Sequence, residues 1–150
     1  LHDLLADEGS KLLVETLRQI EDGIAPRTPQ NHELASYAHK IQKEEGEIDW
    51  SMSAKDIYNL VRGMNPWPGA YTWYDGKIFK LWETRIGQKI NGGQPGQVME
   101  LDLEQGILVQ TGDGGLWLTK VQPASKRRMD AGDYLNGYNL EKGEVFGNEK

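Results

Sequence analysis

The chain has 150 residues, with 17 Lys and Arg, 23 Asp and Glu, 3 His and no Cys, and its net charge at pH 7 is −6. This composition is typical of a globular domain, and a chain of this length needs no disulfide or metal to build a core. The absence of Cys excludes disulfide scaffolds, thiol catalysis and thiolate zinc sites, and it fits a reducing compartment. No apolar run is long enough for a transmembrane helix, so we predict no membrane partner.

Residues 1–22 are predicted to form one amphipathic helix. Asp22 and Gly23 end it, since Gly tolerates the left-handed backbone there. The apolar face finds no partner in the neighbouring sequence, and the chain opens within the helical pattern. We therefore interpret residues 1–23 as the last helix of a preceding domain and residues 24–48 as a linker. The face consists of Leu1, Leu4, Leu5, Leu12, Leu13, Leu17 and Ile20.

A second helix is predicted for residues 53–62. Ser53 and Asp56 have the spacing of a capping box at its start. The elbow Asn65-Pro66-Trp67-Pro68-Gly69 follows, where the two prolines exclude both helix and central strand. We expect Trp50 and Trp67 to pack around this elbow. The sequence leaves open which of the others is exposed to stack on a base: Trp73, Trp82 or Trp117.

From residue 70 onward the apolar period changes from helical to two, which indicates β-structure. A last helix at about 130–135 is predicted to be capped by Asp130, and residues 138–150 are expected to form a loose tail. The fold class is therefore mainly β with flanking helices, as a small five- to six-stranded open barrel of the OB type over residues 49–137. The predicted strands are 70–74, 77–83, 98–103, 106–111 and 116–121.

The sequence offers no constellation for catalysis or metal binding. His2, His32 and His39 lack metal-ligand spacing and have no partners for a triad. The Gly-rich segment 87–96 lacks the Gly-Lys-Ser/Thr ending of a phosphate-binding P-loop. We therefore expect no catalytic residue, no metal and no bound cofactor in this chain.

Positive charge is concentrated in one part of this acidic chain. Residues 77–128 carry 8 Lys and Arg against 5 Asp and Glu, whereas residues 1–56 carry 6 against 12. Because salt screens charges over about 8 Å, the local excess decides phosphate binding. The run Lys126-Arg127-Arg128 on a small barrel indicates contact with backbone phosphates. Weaker candidates, from charge alone, are Arg62, Lys77, Lys80 and Lys120.

Three segments resemble one known family. They are Ile48 to Ser51 with Asn59 to Ala70, then Thr111 to Gly114, and then Val121 to Gly137. In this order they are similar to the C-terminal domain of methionyl-tRNA formyltransferases, and the similarity extends back to Leu1. The resemblance implies that residues 1–23 end a Rossmann-like catalytic domain, which would be an upstream partner in the same chain.

The resemblance also implies a function. Members of the family are cytoplasmic enzymes that transfer a formyl group from 10-formyltetrahydrofolate to initiator methionyl-tRNA in translation initiation. Their catalytic residues lie in the upstream domain, and their barrel helps to hold the tRNA through a positively charged channel. The matching positions here are Lys40, Lys43, Lys126, Arg127 and Arg128.

Two alternatives stay open at this point. The domain resembles the structural support of formyltransferases that act on amino sugars or folate, which would bind no tRNA. A free-standing barrel that binds oligonucleotides or proteins is the other interpretation. The unpartnered apolar face of residues 1–20 speaks against the free-standing barrel.

Overall fold

The computed structural model describes residues 1–90 and 92–147. The chain divides into two compact units, Leu1–His39 and Lys40–Lys150. The first unit contains α1 (His2–Glu21) and a short 3-10 helix (His32–Leu34). The second begins with a 3-10 helix (Glu44–Gly46). It continues with α2 (Ala54–Met64), β1 (Ala70–Tyr74), β2 (Lys77–Ile86), β3 (Val98–Asp102), β4 (Gly106–Gln110), β5 (Gly115–Pro123), β6 (Met129–Asp130) and α3 (Ala131–Gly137).

The amphipathic helix α1 forms where the sequence predicts it. It ends at Asp22, and Gly23 follows in the left-handed region with φ 71°. The leucines of its apolar stripe remain between 56% and 63% exposed at positions 5, 12, 13 and 17. Such a stripe normally marks a surface that another protein element covers.

The N-terminal cap of α2 at Ser53 is confirmed. The Asp56 backbone N–H donates to Ser53 Oγ over 3.1 Å, and the Ser53 hydroxyl donates to Asp56 Oδ2 over 2.6 Å. The Ala54 N–H donates to the Asp113 carboxylate in the β4–β5 turn over 2.8 Å. These bonds satisfy free donors of the first helical turn and tie α2 to the sheet. The buried Ile57 and Val61 then pack into the core.

The strands form one antiparallel sheet in the order β1-β2-β5-β4-β3, with β6 beside β5. The sheet is open and flanked by helices, so the expected small open barrel is confirmed. β2 runs three residues further than predicted, to Ile86, and it contains irregular pairings on both sides of Glu83. Such bulges bend a strand and increase its twist. They explain how β2 curves around the core while pairing with both β1 and β5.

The interpretation of residues 138–150 as a loose tail is wrong for residues 138–147. Leu140 and Phe146 are 6% and 2% exposed, and the Phe146 N–H donates to the Gly96 carbonyl over 2.9 Å. The Phe146 ring also stacks on Trp50 with centroids 6.1 Å apart. Two large apolar side chains therefore anchor a segment whose polar composition predicts disorder. Residues 148–150 lie outside the described residues.

The tryptophans depart from the prediction at one position. Trp50 is buried, and its indole N–H donates to Thr72 Oγ1 over 2.9 Å. Trp67 is 57% exposed on the elbow, so its assignment to packing is wrong. Trp117 is buried, while Trp73 and Trp82 are half-buried. Throughout residues 1–90 and 92–147, none of the helices combines the length and apolar character that crossing a membrane requires.

Candidate nucleic-acid interface

The predicted basic run lies beside the outer face of β2 and β5. Side chains alternate along a strand, so the buried Phe79 and Leu81 point to the core and Lys80 points away from it. In the β2–β5 register Lys80 lies opposite Gln122. Trp82 falls within the bulge between Leu81 and Glu83 and stays half-buried. This face therefore presents polar and aromatic groups to the segment that follows β5.

Trp82 and Gln122 hold the basic run in place. The Trp82 indole N–H donates to Gln122 Oε1 over 2.9 Å, and Gln122 Nε2 donates to the Lys126 carbonyl over 2.8 Å. The Arg128 guanidinium carbon lies 5.0 Å from the centroid of the Trp82 ring, within range of a cation–π contact. We call Trp82, Gln122, Lys126 and Arg128 the Trp82 network. It fixes the backbone of the run and one of its cations.

The run itself leaves the sheet through a tight turn. The Lys126 N–H donates to the Pro123 carbonyl over 3.1 Å, and Ser125 adopts the left-handed region with φ 60°. Glycine adopts that region without strain, whereas a serine is held there by the structure around it. Lys126, Arg127 and Arg128 are exposed, and no carboxylate in the described part of the chain forms an ion pair with them. Their charges are therefore free to meet an external anion.

Lys120 has the same charge on the same sheet but a different environment. Its Nζ lies 3.0 Å from Glu83 Oε1 and 3.7 Å from Asp130 Oδ1. The hydrogen bond with Glu83 raises the pKa of Lys120 above its ordinary value. Asp130 occupies the N-cap position of α3, but its side chain makes no capping hydrogen bond. The prediction of Asp130 as a side-chain cap is therefore wrong, because its carboxylate lies beside Lys120 instead.

The other predicted cations are spread over the second unit. Lys40 and Lys43 are exposed in the segment before Gly46, which packs against the Gly69 carbonyl of the elbow. Lys80 is half-buried, and its Nζ also lies close to Gly69. Lys77 is exposed in the β1–β2 hairpin, with its Nζ 3.8 Å from Asp75 Oδ2. Of the sequence-predicted cations, Arg128 stacks on Trp82 and Lys126 is linked to Trp82 through Gln122, with Arg127 exposed between them.

Two cavities adjoin this face. The first, about 880 Å³, opens at the end of the sheet between the β1–β2 hairpin and the segment after α3, with Lys77 and Lys126 in its lining. In its wall the Tyr74 hydroxyl donates to Glu144 over 2.9 Å, and burial together with this bond raises the pKa of Tyr74. Burial also raises the pKa of Tyr134 to about 12. These tyrosines are neutral hydrogen-bonding groups near pH 7.

The second cavity, about 870 Å³, is a groove between α2 and β2. Arg62 and Arg85 line it together with Trp82 and Thr84. Arg62 is predicted from charge alone, whereas sequence reasoning missed Arg85. A single cation on a strand, without basic neighbours, gives no pattern that distinguishes it from ordinary surface. Within the part of the chain that the structure describes, no group of three His, Asp or Glu residues is placed to hold a metal ion.

The second unit matches one protein family. The sequence profile of "Formyl transferase, C-terminal domain" matches residues 40–139. Over 150 residues the chain is 48% identical to a methionyl-tRNA formyltransferase of Desulforamulus reducens, and this alignment covers 99% of the chain and 47% of the relative. A methionyl-tRNA formyltransferase of Halothermothrix orenii is 43% identical over 152 residues, with 98% and 48% covered. The chain therefore spans about half the length of the curated relatives it matches.

Solved structures show the same fold. A variant of HypX from Aquifex aeolicus superposes with a TM-score of 0.65 and 23% identity, over 85% of this chain and 23% of that one. HypX in complex with tetrahydrofolic acid gives a TM-score of 0.63 and 22% identity, over 92% and 26%. At this identity the likeness concerns the fold alone.

Proposed function

Since this chain belongs to the formyl transferase C-terminal domain family, we propose that it is the tRNA-holding part of a methionyl-tRNA formyltransferase. The complete enzyme would transfer a formyl group from 10-formyltetrahydrofolate to initiator methionyl-tRNA in translation initiation. An upstream catalytic domain would carry the reacting groups, and the exposed stripe of α1 would pack on it. The observation that carries the proposal is the exposed basic run held by the Trp82 network.

The chemistry of the run supports backbone contact. Three adjacent exposed cations provide point charges, and such charges bind phosphates without reading base edges. Arg128 is oriented by the Trp82 ring, and the carbonyl of Lys126 is fixed by Gln122, so the run is partly ordered before RNA arrives. Preorganised groups lose less entropy on binding. Lys40, Lys43, Lys77 and Lys80 are further proposed contacts, and Lys120 is the weakest because Glu83 and Asp130 engage it.

The test is a salt series with initiator methionyl-tRNA and the enzyme that carries this chain as its C-terminal half. Each of Lys126→Ala, Arg127→Ala and Arg128→Ala should make the dependence of log affinity on log salt less steep. The magnitude of the slope should fall by about one unit for a contact with a duplex region of the tRNA. Lys89→Ala is the matched control, because Lys89 is exposed in the loop beyond the far end of β2. Unchanged slopes in all three variants would identify the run as ordinary solvated surface. A loss for one tRNA alone would mean that the run reads sequence or shape.

The chain by itself should not catalyse formyl transfer. With formyl donor and methionyl-tRNA, we expect the 150-residue chain to give background transfer. Turnover that depends on His32 or His39 would contradict this assignment. If the complete enzyme formylates another amine and binds no tRNA, the alternative of a support domain in a different formyltransferase is correct.

A further inference from the structure

The groove between α2 and β2 combines free positive charge with an unsatisfied hydroxyl. Arg62 comes from the last turn of α2, and Arg85 from the end of β2, so the two residues line the groove from different elements. Glu83 also lines it but is engaged by Lys120. No described carboxylate forms an ion pair with either arginine. The groove therefore has a net positive lining.

Aromatic rings orient both arginines. The guanidinium carbon of Arg62 lies 5.2 Å from the centroid of the Tyr58 ring, and that of Arg85 lies 5.7 Å from the centroid of Trp117. Arg85 also donates from Nη2 to Gln105 Oε1 over 3.0 Å. Stacking on a ring leaves the N–H groups in the guanidinium plane available. Such a planar fork matches the two oxygens of a phosphodiester.

Thr84 supplies a donor in the same groove. Its Oγ1 is buried and has no hydrogen-bond partner among the described residues, although Thr84 lines the cavity. The irregular pairing between Glu83 and Thr84 alters the path of β2 at this position. Buried hydroxyl groups normally have a partner, so an unpaired one beside two arginines is an indication of an absent acceptor. A phosphate oxygen in the groove meets that requirement once the Thr84 hydroxyl turns from its buried position towards the cavity.

The groove is continuous with the basic run through one residue. Trp82 lines the groove, and its ring also carries the Arg128 guanidinium at 5.0 Å. A nucleic-acid backbone bound at the run therefore has a positively charged path past Trp82 to Arg85 and Arg62. This continuity favours the backbone of a polynucleotide over a free phosphate or an acidic peptide.

We propose that the α2–β2 groove is a second phosphodiester-binding site, which takes the backbone of the same RNA through Arg62, Arg85 and Thr84. The inference rests on the proposed function, because it extends the RNA path that begins at the run 126–128. It assigns Arg85 a role that the sequence does not reveal. It also gives Arg62, a candidate from charge alone, a structural reason to bind phosphate.

The experiment measures tRNA affinity of the enzyme that carries this chain across a salt series. The double variant Arg62→Ala with Arg85→Ala should lower the salt slope by about two units. Arg85→Lys should keep the slope and weaken binding several-fold, because the charge stays while the fork is lost. Thr84→Val should weaken binding without changing the slope. Lys89→Ala with Lys142→Ala, at two exposed lysines outside the groove, is the charge-matched control for the double variant and should leave affinity unchanged.

A second measurement protects against variants that fold poorly. In the unmodified chain, the Nε–Hε resonances of Arg62 and Arg85 should shift when the tRNA is added at low salt and should return at high salt. Unshifted resonances, with a slope that the double variant leaves unchanged, would overturn the inference. Shifts with inorganic phosphate that tRNA does not reproduce would overturn it as well.

The two variants distinguish a failure of the proposed function from a failure of this inference. If the triple alanine variant of residues 126–128 lowers the slope and the groove variant does not, the tRNA role stands and the groove is unrelated to it. If neither variant changes the slope, the proposed tRNA role is wrong together with the inference.

Discussion

Two basic regions of the second unit, Lys120 on β5 and the run in the segment between β5 and β6, differ in what surrounds them. Lys120 lies on β5 between Glu83 and Asp130, at 3.0 Å and 3.7 Å from their carboxylates. The run Lys126-Arg127-Arg128 begins only a few residues later and meets an indole ring and an amide instead. The sequence shows positive charge in both regions and does not distinguish them. Of the two, the run has the charges that remain available to a partner.

The difference shows that an interface is defined by the neighbours of a cation. An exposed ion pair adds little to stability, but it uses the charge that a phosphate would need. A cation above an aromatic ring keeps its hydrogen-bond donors for an external acceptor. The Trp82 ring therefore orients Arg128 without neutralising it, whereas Glu83 neutralises Lys120.

The largest expected effect separates the two regions directly. The triple variant Lys126→Ala, Arg127→Ala and Arg128→Ala should lower the salt slope of tRNA binding by about three units. Lys120→Ala should leave that slope unchanged, because its charge is already paired. Affinities of the enzyme containing this chain, measured at several salt concentrations, check both. An equal loss of slope in the two variants would show that pairing within the barrel is irrelevant to RNA binding.

This contrast also shows which structural features can be predicted from the sequence. The helix α2, its Ser53 cap and the antiparallel strands follow from local patterns, since periodicity and capping act within a few residues. The burial of Phe146 does not, because it depends on Trp50, nearly a hundred positions away in the chain. A polar segment with two anchoring apolar residues is locally indistinguishable from a loose tail.

The candidate site also has one part that the sequence predicts and another part that it does not. The run 126–128 is visible as a charge pattern, and the structure leaves it exposed. Arg85 and the link from Trp82 through Gln122 to Lys126 depend on strand register and on a bulge in β2. Register is a property of the assembled sheet, so neither feature is encoded in a local motif.

A smaller effect is expected when the support of the run is weakened. Trp82→Phe removes the indole N–H that bonds to Gln122 but keeps a ring for Arg128. One hydrogen bond contributes about 1 kcal/mol to the order of the run, so tRNA affinity should fall by up to about fivefold. The salt slope should not change, since every cation remains. Gln122→Ala should match this loss, and the double variant should be less than additive because both residues act through one chain of bonds.

Removing the carboxylates beside Lys120 is expected to make its charge as available as the charges of the run. The double variant Glu83→Gln with Asp130→Asn removes both carboxylates beside it. Lys120 then faces solvent unpaired on the same sheet as the run, and the salt slope should rise by up to about one unit. Glu100→Gln with Glu104→Gln makes the same change of net charge around β3, across the sheet. An equal rise in that control would attribute the gain to net charge alone.

The smallest effect is a titration. The hydrogen bond with Glu83, followed by the charges of Glu83 and Asp130, raises the pKa of Lys120 above 10.5. A raised lysine pKa in the folded state means that the ion pair stabilises the protein below pH 10.5 and that this contribution is lost as the pH rises through the folded-state value. The NMR signal of the Lys120 side chain should therefore titrate above pH 10.5, and Glu83→Gln should shift that titration to lower pH. A Lys120 titration that Glu83→Gln leaves unchanged would remove the distinction between the two regions, because its charge would then be as available as those of the run.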